Sequence, residues 1–271
     1  FSIMTQSSSS QIQNSITLVS LAKSSIVALT IQFVGIILTY LLQISLAHWM
    51  GKTEYGIYEY VFSWSLLLAI PTALGLPRAV VRFISEYRVK QELGLLRGLI
   101  LASWLLTVSA GLLVSLAGAG IILLLNNYHN FTYASALLVG ICLVPLQALV
   151  QLQQNMGRGA QNITLAYAPT KILWPILLIA GGFVLFNQQN SSSIPIICMA
   201  IVTLLSAILI QSGLIWIEFD SETSYTKPMY ATREWLTVAL PLLFHNTFQN
   251  LLKQTDIVML GLFVGAGAVG I

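Results

Sequence analysis

Apolar residues fall in long unbroken runs along this chain, and polar residues gather at the ends of each run. Seven runs are long enough to cross the roughly 30 Å hydrocarbon core of a bilayer as helices. They cover about Ser24 to Met50, Gly56 to Ile84, Gly98 to Leu125, Tyr133 to Met156, Ile163 to Phe186, Ile194 to Ile217 and Trp235 to Val264. The runs are continuous rather than alternating, which predicts helices and not the strands of a barrel. In lipid only those two architectures satisfy the backbone. The predicted fold class is therefore all-α, a polytopic transmembrane helix bundle. Pro71, Pro145, Pro169, Pro175 and Pro241 lie within or near the ends of runs, and each invites a kink. The Ser/Gln-rich stretch Gln6 to Ser20 reads as a disordered tail without the basic segment of a signal peptide. The chain has no Met at position 1 and stops at Ile271 directly after an apolar run, so a fragment is expected, at least at the C-terminus.

Composition agrees with a lipid solvent. The chain is 56% hydrophobic and 8% charged, against about 25% charged in soluble domains. The formal net charge of +3 is scattered along loops, which argues against nucleic-acid binding. Its distribution predicts orientation. If the helices alternate, Lys23, Arg78, Arg82, Arg88, Lys90, Arg97, Arg158, Lys227 and Arg233 share one side, and the other has only Lys52. The N-terminus is expected in the cytoplasm and the loop Asn126 to Thr132 outside, in a cell (inner or plasma) membrane. Cys142 and Cys198 sit inside apolar runs and read as reduced, small apolar fillers. Three glycosylation sequons, at Asn130, Asn162 and Asn190, are of the kind that chance produces.

A weak internal repeat accompanies the runs. A shift of 214 residues (46 to 260) aligns Leu46 with Leu260, Gly51 with Gly265, Gly56 with Gly270 and Ile57 with Ile271. The seventh run then restarts the pattern of the first, as in parallel repeats of six-helix units. Three stretches of these same runs carry a family resemblance. Ala47-His48-Trp49-Met50-Gly51-Lys52-Thr53-Glu54-Tyr55-Gly56-Ile57-Tyr58 resembles the "lG…eyG.y" signature of polysaccharide and oligosaccharide flippases. Gly75-Leu76-Pro77-Arg78-Ala79-Val80-Val81-Arg82-Phe83 is similar to that family's "Gl..a..rf" stretch. Leu240-Pro241-Leu242 through Asp256-Ile257-Val258-Met259-Leu260-Gly261 resembles its "Pl……D..mlG" segment. The resemblance covers Ser24 to Ile271 and implies the fold of the multidrug/oligosaccharidyl-lipid/polysaccharide superfamily, two six-helix lobes facing each other. It divides the chain into a polar cytoplasmic tail (1–23), a six-helix first lobe (24–217), a cytoplasmic inter-lobe loop (218–234) and the first helix of a second lobe (235–271).

Ionisable groups inside hydrocarbon cost about 2.5–3.5 kcal/mol each and mark candidate sites. His245, Gln249, Lys253 and Asp256 fall on one stripe of the seventh run, with Lys253 and Asp256 close enough to pair. Gln147, Gln151, Gln154 and Arg158 form a second stripe in the fourth run, Gln32, Thr39 and Gln43 a third in the first, and Tyr167, Lys171 and Trp174 a fourth in the fifth. The candidate substrate-binding set is Lys253, Asp256, His245, Gln249, Lys171, Arg78, Gln43 and Gln151. Lys and Arg suit a phosphate, while amides, hydroxyls and aromatic faces suit a glycan. Gln and Thr stripes also glue helices together, and Arg78, Arg82 and Arg158 also fit as interfacial anchors.

The family likeness implies translocation of a polyprenyl-phosphate-linked glycan through the bilayer, with a coupling cation as a further partner. A cation-coupled multidrug antiporter of the same superfamily is the alternative. It would favour carboxylates on the first-lobe cavity, where the deep ionisable group is expected to be Lys171. A membrane-embedded glycosyltransferase or polymerase would need a catalytic carboxylate or His cluster at a sizeable loop, and Glu218 to Glu234 has no such motif. The sequence carries no P-loop, metal-ligand spacing or nucleophile motif, so no enzyme and no cofactor is expected.

Overall fold

The computed structural model describes the backbone of residues 2–129, 133–188, 192–223, 226–244 and 259, with side chains from residue 25 onward except those of 128 and 129. Among the described residues every regular element is a helix: α1 Ser2–Thr72, α2 Leu76–Lys90, α3 Leu93–His129, α4 Ala134–Gly140, α5 Leu143–Gly159, α6 Ile163–Ala168, a π-helical turn Pro169–Leu173, α7 Trp174–Asn187, α8 Ser193–Thr223 and α9, residues 232–244. Five stretches are long and apolar enough to cross a bilayer: Ser25–Thr72, Leu93–Asn127, Ala134–Gly159, Ile163–Asn187 and Ser193–Thr223.

The first of these has 48 residues, which at 1.5 Å per residue is about 72 Å, more than two bilayer cores. It is two limbs. Gly51 breaks the helical backbone at φ 74°, ψ 168°, a conformation open to glycine at little cost. The chain then turns back, since residues 39–46 and 58–66 line one cavity. At this bend the Glu54 carboxylate accepts the backbone N–H of Ser193 at 2.7 Å, capping the N-terminus of α8 where a negative charge is favoured.

Four expectations need correction. The stretch read as a disordered tail is helical from Ser2, continuous with the first limb; it contains neither Gly nor Pro, so nothing stops propagation. The second run is not one helix. Leu74 and Gly75 take positive φ, 51° and 70°, and Pro77 in the first turn of α2 restarts the chain. The inter-lobe loop is shorter than expected, because α8 continues through Thr223. The two cysteines, read as fillers, are both exposed, Cys142 in the turn between α4 and α5 and Cys198 on α8.

Proline positions shape the remaining helices. Pro145 has no N–H for the carbonyl of Ile141, four residues back. That carbonyl instead accepts the Ser115 hydroxyl at 3.2 Å, and the fourth run breaks there into α4 and α5. Asn162 caps α6 by accepting the Leu165 N–H at 3.1 Å. Between Pro169 and Pro175 the chain widens into the π turn, in which the Trp174 N–H reaches the Pro169 carbonyl.

α5 is buried over most of its surface, with Gln151, Gln154, Asn155 and Arg158 on its less buried face, and forms the axis of the bundle. Its Gln153 and Gln211 of α8 are fully buried. Gln153 donates to the Ile208 carbonyl at 3.4 Å and Gln211 to that of Leu165 at 3.0 Å. These amides act as glue between helices. One apolar core lies around α2 and the C-terminal half of α5, and a second around the α1 bend, α7 and the N-terminal half of α8. The outward faces of α1 and α3 are rows of exposed Ile and Leu, which a bilayer covers.

The start of α9 belongs to the first of these cores. Trp235 and Ala239 are buried there; the Trp235 indole N–H donates to the Tyr87 hydroxyl at 2.8 Å. Burial holds that phenol above its usual pKa, so it stays a neutral acceptor. The Met229 N–H donates to the Gly94 carbonyl at 2.9 Å. The described start of the seventh run is thus anchored firmly on α2. The second half of the internal repeat lies outside the described residues.

Arg88 ties α2 to the α5–α6 turn and to α8. It bonds the Glu222 carboxylate at 2.9 Å and the Ala160 carbonyl at 3.1 Å, sits 3.9 Å from Glu218 and lies over the Phe219 ring at 5.0 Å. Glu218 also accepts from the Asn162 amide at 3.3 Å. Replacing Arg88 by Met keeps the stem and removes the charge. The pairs are partly exposed, so the expected loss is about 1–2 kcal/mol, read as a lower thermal midpoint of the detergent-solubilised protein. An unchanged midpoint would mean that the cluster contributes nothing net.

Candidate functional site

Three segments meet at a cavity of about 180 Å³: the two limbs of α1 and the first turn of α7. Thr39 and Gln43 stand one turn apart on the first limb, on the face that the sequence predicts as polar. Glu59 and Ser63 stand one turn apart on the second limb and face them across the space. Leu42, Leu46 and Leu66 supply its aliphatic wall and Tyr58, Phe62 and Trp174 its aromatic one. The rings form a ladder. Tyr58 and Phe62 stack at 5.8 Å, and Phe62 and Trp174 at 5.8 Å with planes 7° apart.

Glu59 is held by the second limb itself. The Tyr55 hydroxyl, one turn earlier, donates to its Oε1 at 2.9 Å. A carboxylate offers about four acceptor positions, so most of its capacity is left for the cavity. The Trp174 indole N–H is buried with no partner among the described residues. Buried donors are nearly always paired, and an exception asks for a cause.

Lys171 stands beside this cavity. It lies on the π turn, exposed, three residues before Trp174. Its Cβ and carbonyl pack on Gly35, four residues before Thr39, where an added Cβ would stand 3.0 Å from the Lys171 Cβ. The turn is also held by the Gln154 amide, which donates to the Thr170 hydroxyl at 2.8 Å.

Of the sequence-predicted residues, Gln43 lines the cavity and Lys171 flanks it. Gln151 is half-buried on α5 and is not on the lining; Arg78 is half-buried in the first turn of α2, beyond the 73–75 turn from Glu59. In the fourth-run stripe, Gln154 bonds Thr170 and Arg158 bonds Asn155 at 3.2 Å, which is structural work. His245, Gln249, Lys253 and Asp256 lie outside the described residues. Glu59 is a correction: the deep ionisable groups of the first lobe do not reduce to Lys171. Its signal was present as a carboxylate inside an apolar run, one turn after Tyr55. Among the described residues no three His, Cys, Asp or Glu side chains gather as a metal site would need.

Residues 21–271 match the family model described as polysaccharide biosynthesis protein. The chain belongs to that family. Neither the curated proteins nor the solved structures include a match. For a polysaccharide biosynthesis protein with several membrane-crossing helices, a partly polar cavity between two of them is a feature with chemistry to offer.

Proposed function

We propose that the protein is a flippase that moves a lipid-linked oligosaccharide across the cell membrane by alternating access, with its N-terminus in the cytoplasm. The observation that supports this best is the cavity between the first two crossings of a chain from a polysaccharide biosynthesis family. Its lining carries amide, hydroxyl, carboxylate and aromatic groups, and the stem of Lys171 packs on Gly35, four residues before Thr39 of the lining. These are the partners of sugar hydroxyls, sugar faces and a phosphate. The polyprenyl tail stays in lipid beside the exposed apolar face of α1. Lys253 and Asp256, with His245 and Gln249, would line the facing side. On this reading the protein binds and moves its cargo without making or breaking a covalent bond.

Reconstituted full-length protein should carry a fluorescent lipid-linked oligosaccharide from the inner to the outer leaflet of liposomes, making it accessible to an impermeant glycosidase. Equal accessibility in protein-free liposomes would sink the proposal. One observation favours the alternative, a cation-coupled drug antiporter: Glu59 is a carboxylate on the first-lobe cavity, as that class requires. Cation-driven efflux of a drug from the same liposomes, without movement of the lipid, would select it.

A further inference from the structure

The cavity and Lys171 occupy successive rungs of one helix contact. Gly35 meets Lys171 on one rung, and Thr39 shares the cavity with Trp174 on the next. The rungs are about 4.5–6 Å apart at 1.5 Å per residue. A phosphate and the sugar joined to it are neighbours on that scale. The cavity is also small: its 180 Å³ falls short of the roughly 300–1,000 Å³ of drug-sized pockets. It takes one ring and not an oligosaccharide.

We propose that this cavity is the subsite for the single sugar bonded directly to the lipid's phosphate, with Lys171 holding that phosphate. The proposal rests on the flippase reading and assigns its first-lobe contacts. Glu59 accepts hydrogen bonds from ring hydroxyls while Tyr55 steadies its other oxygen. Ser63, whose hydroxyl has no partner among the described residues, and the Gln43 amide supply further polar contacts. The Phe62–Trp174 pair offers an apolar wall to the C–H face of the ring, and the unpaired indole N–H offers a donor at its edge. The next sugars of the chain lead away from Lys171, towards the Gly51 bend. A Cβ at Gly35 would press on the Lys171 Cβ at 3.0 Å and its carbonyl at 3.3 Å, so glycine lets the π turn sit close to the first limb on this rung.

The test is equilibrium binding to the full-length protein in nanodiscs. The probes are a polyprenyl diphosphate without sugar and the same lipid carrying one glucose, galactose or N-acetylglucosamine. The wild type should prefer at least one sugar-bearing lipid to the bare one. Glu59→Gln, which keeps the shape and the Tyr55 contact, should erase most of that preference, a loss of roughly ten- to hundredfold, and leave the bare lipid's affinity unchanged. Trp174→Leu should do the same, whereas Lys171→Gln should weaken both lipids together. Monodisperse elution of each variant checks folding. If the wild type binds neither lipid, the flippase reading fails and the subsite with it. If it binds both but Glu59→Gln loses no preference, the subsite alone is wrong. Unchanged binding of both lipids by Glu59→Gln, together with lost transport, would also overturn the subsite and assign Glu59 to ion coupling.

Discussion

Gly75→Val should strip α9 from α2 and cost the protein about 3–5 kcal/mol, the largest stability loss expected of any single substitution discussed above. Two penalties add at this residue. Its φ of 70° is a region that β-branched side chains enter only with strain of about 1–3 kcal/mol. A Cβ there would also run into the Ala239 carbonyl, forcing a shift of the kind that costs about 1–3 kcal/mol in a packed core. Because Ala239 and Trp235 sit in the same core as α2, the shift takes the start of α9 with it. The measurement is the thermal midpoint in detergent, with two controls. Gly51→Ala meets open space, but φ 74°, ψ 168° is a region essentially reserved for glycine, so it should lose about 1–3 kcal/mol from backbone strain alone. Gly120→Ala, in open space on a regular helix, should be neutral or slightly stabilising. A Gly75→Val protein that melts with Gly51→Ala would show that the α2–α9 contact gives way cheaply.

Lys253→Gln should insert at normal levels and fail to support surface polysaccharide in cells that lack the native gene. Gln keeps similar bulk and hydrogen-bonding capacity and removes the attraction to an anionic lipid, worth roughly ten- to hundredfold in affinity for a charge-assisted contact. The sequence pattern predicts Lys253 on one helix stripe with His245, Gln249 and Asp256, and a stripe of that polarity would face protein or water rather than lipid. Asp256→Asn should do less damage if Asp256 mainly tunes Lys253, and more if it carries a coupling cation. Normal export by Lys253→Gln at matched expression would reduce the pair to a structural ion pair.

Much of the fold was legible because in lipid the backbone has few choices. Runs of about 20 apolar residues had to be helices; the gap between the first two runs falls at the Gly51 break, and Pro145, Pro169 and Pro175 sit at real irregularities. What escaped was decided by tertiary contact. The turn at 73–75 interrupts a run with no polar gap, and it holds because α9 packs over Gly75. Gln154 reads the same as Gln43 by spacing, yet one ties α5 to the π turn and the other lines a cavity. Glu59 was passed over because a lone carboxylate one turn inside a run reads as interfacial. Its setting depends on Thr39 and Gln43 from the first limb and on Trp174, 115 residues further along (174 less 59). Segments so distant in sequence leave no local pattern.

The clamp on residues 226–239 changes how a two-lobe molecule of this kind would move. A hinge needs slack, and the stretch joining the lobes has little: Met229 is bonded to Gly94, Trp235 to Tyr87, and Ala239 is pressed on Gly75. Torque arriving from the second lobe would therefore load α2 directly. α2 follows from the limb that carries Glu59, with the 73–75 turn as the joint between them. On that gearing, rocking of the far lobe would tug on one wall of the cavity while Trp174, on α7, stays behind.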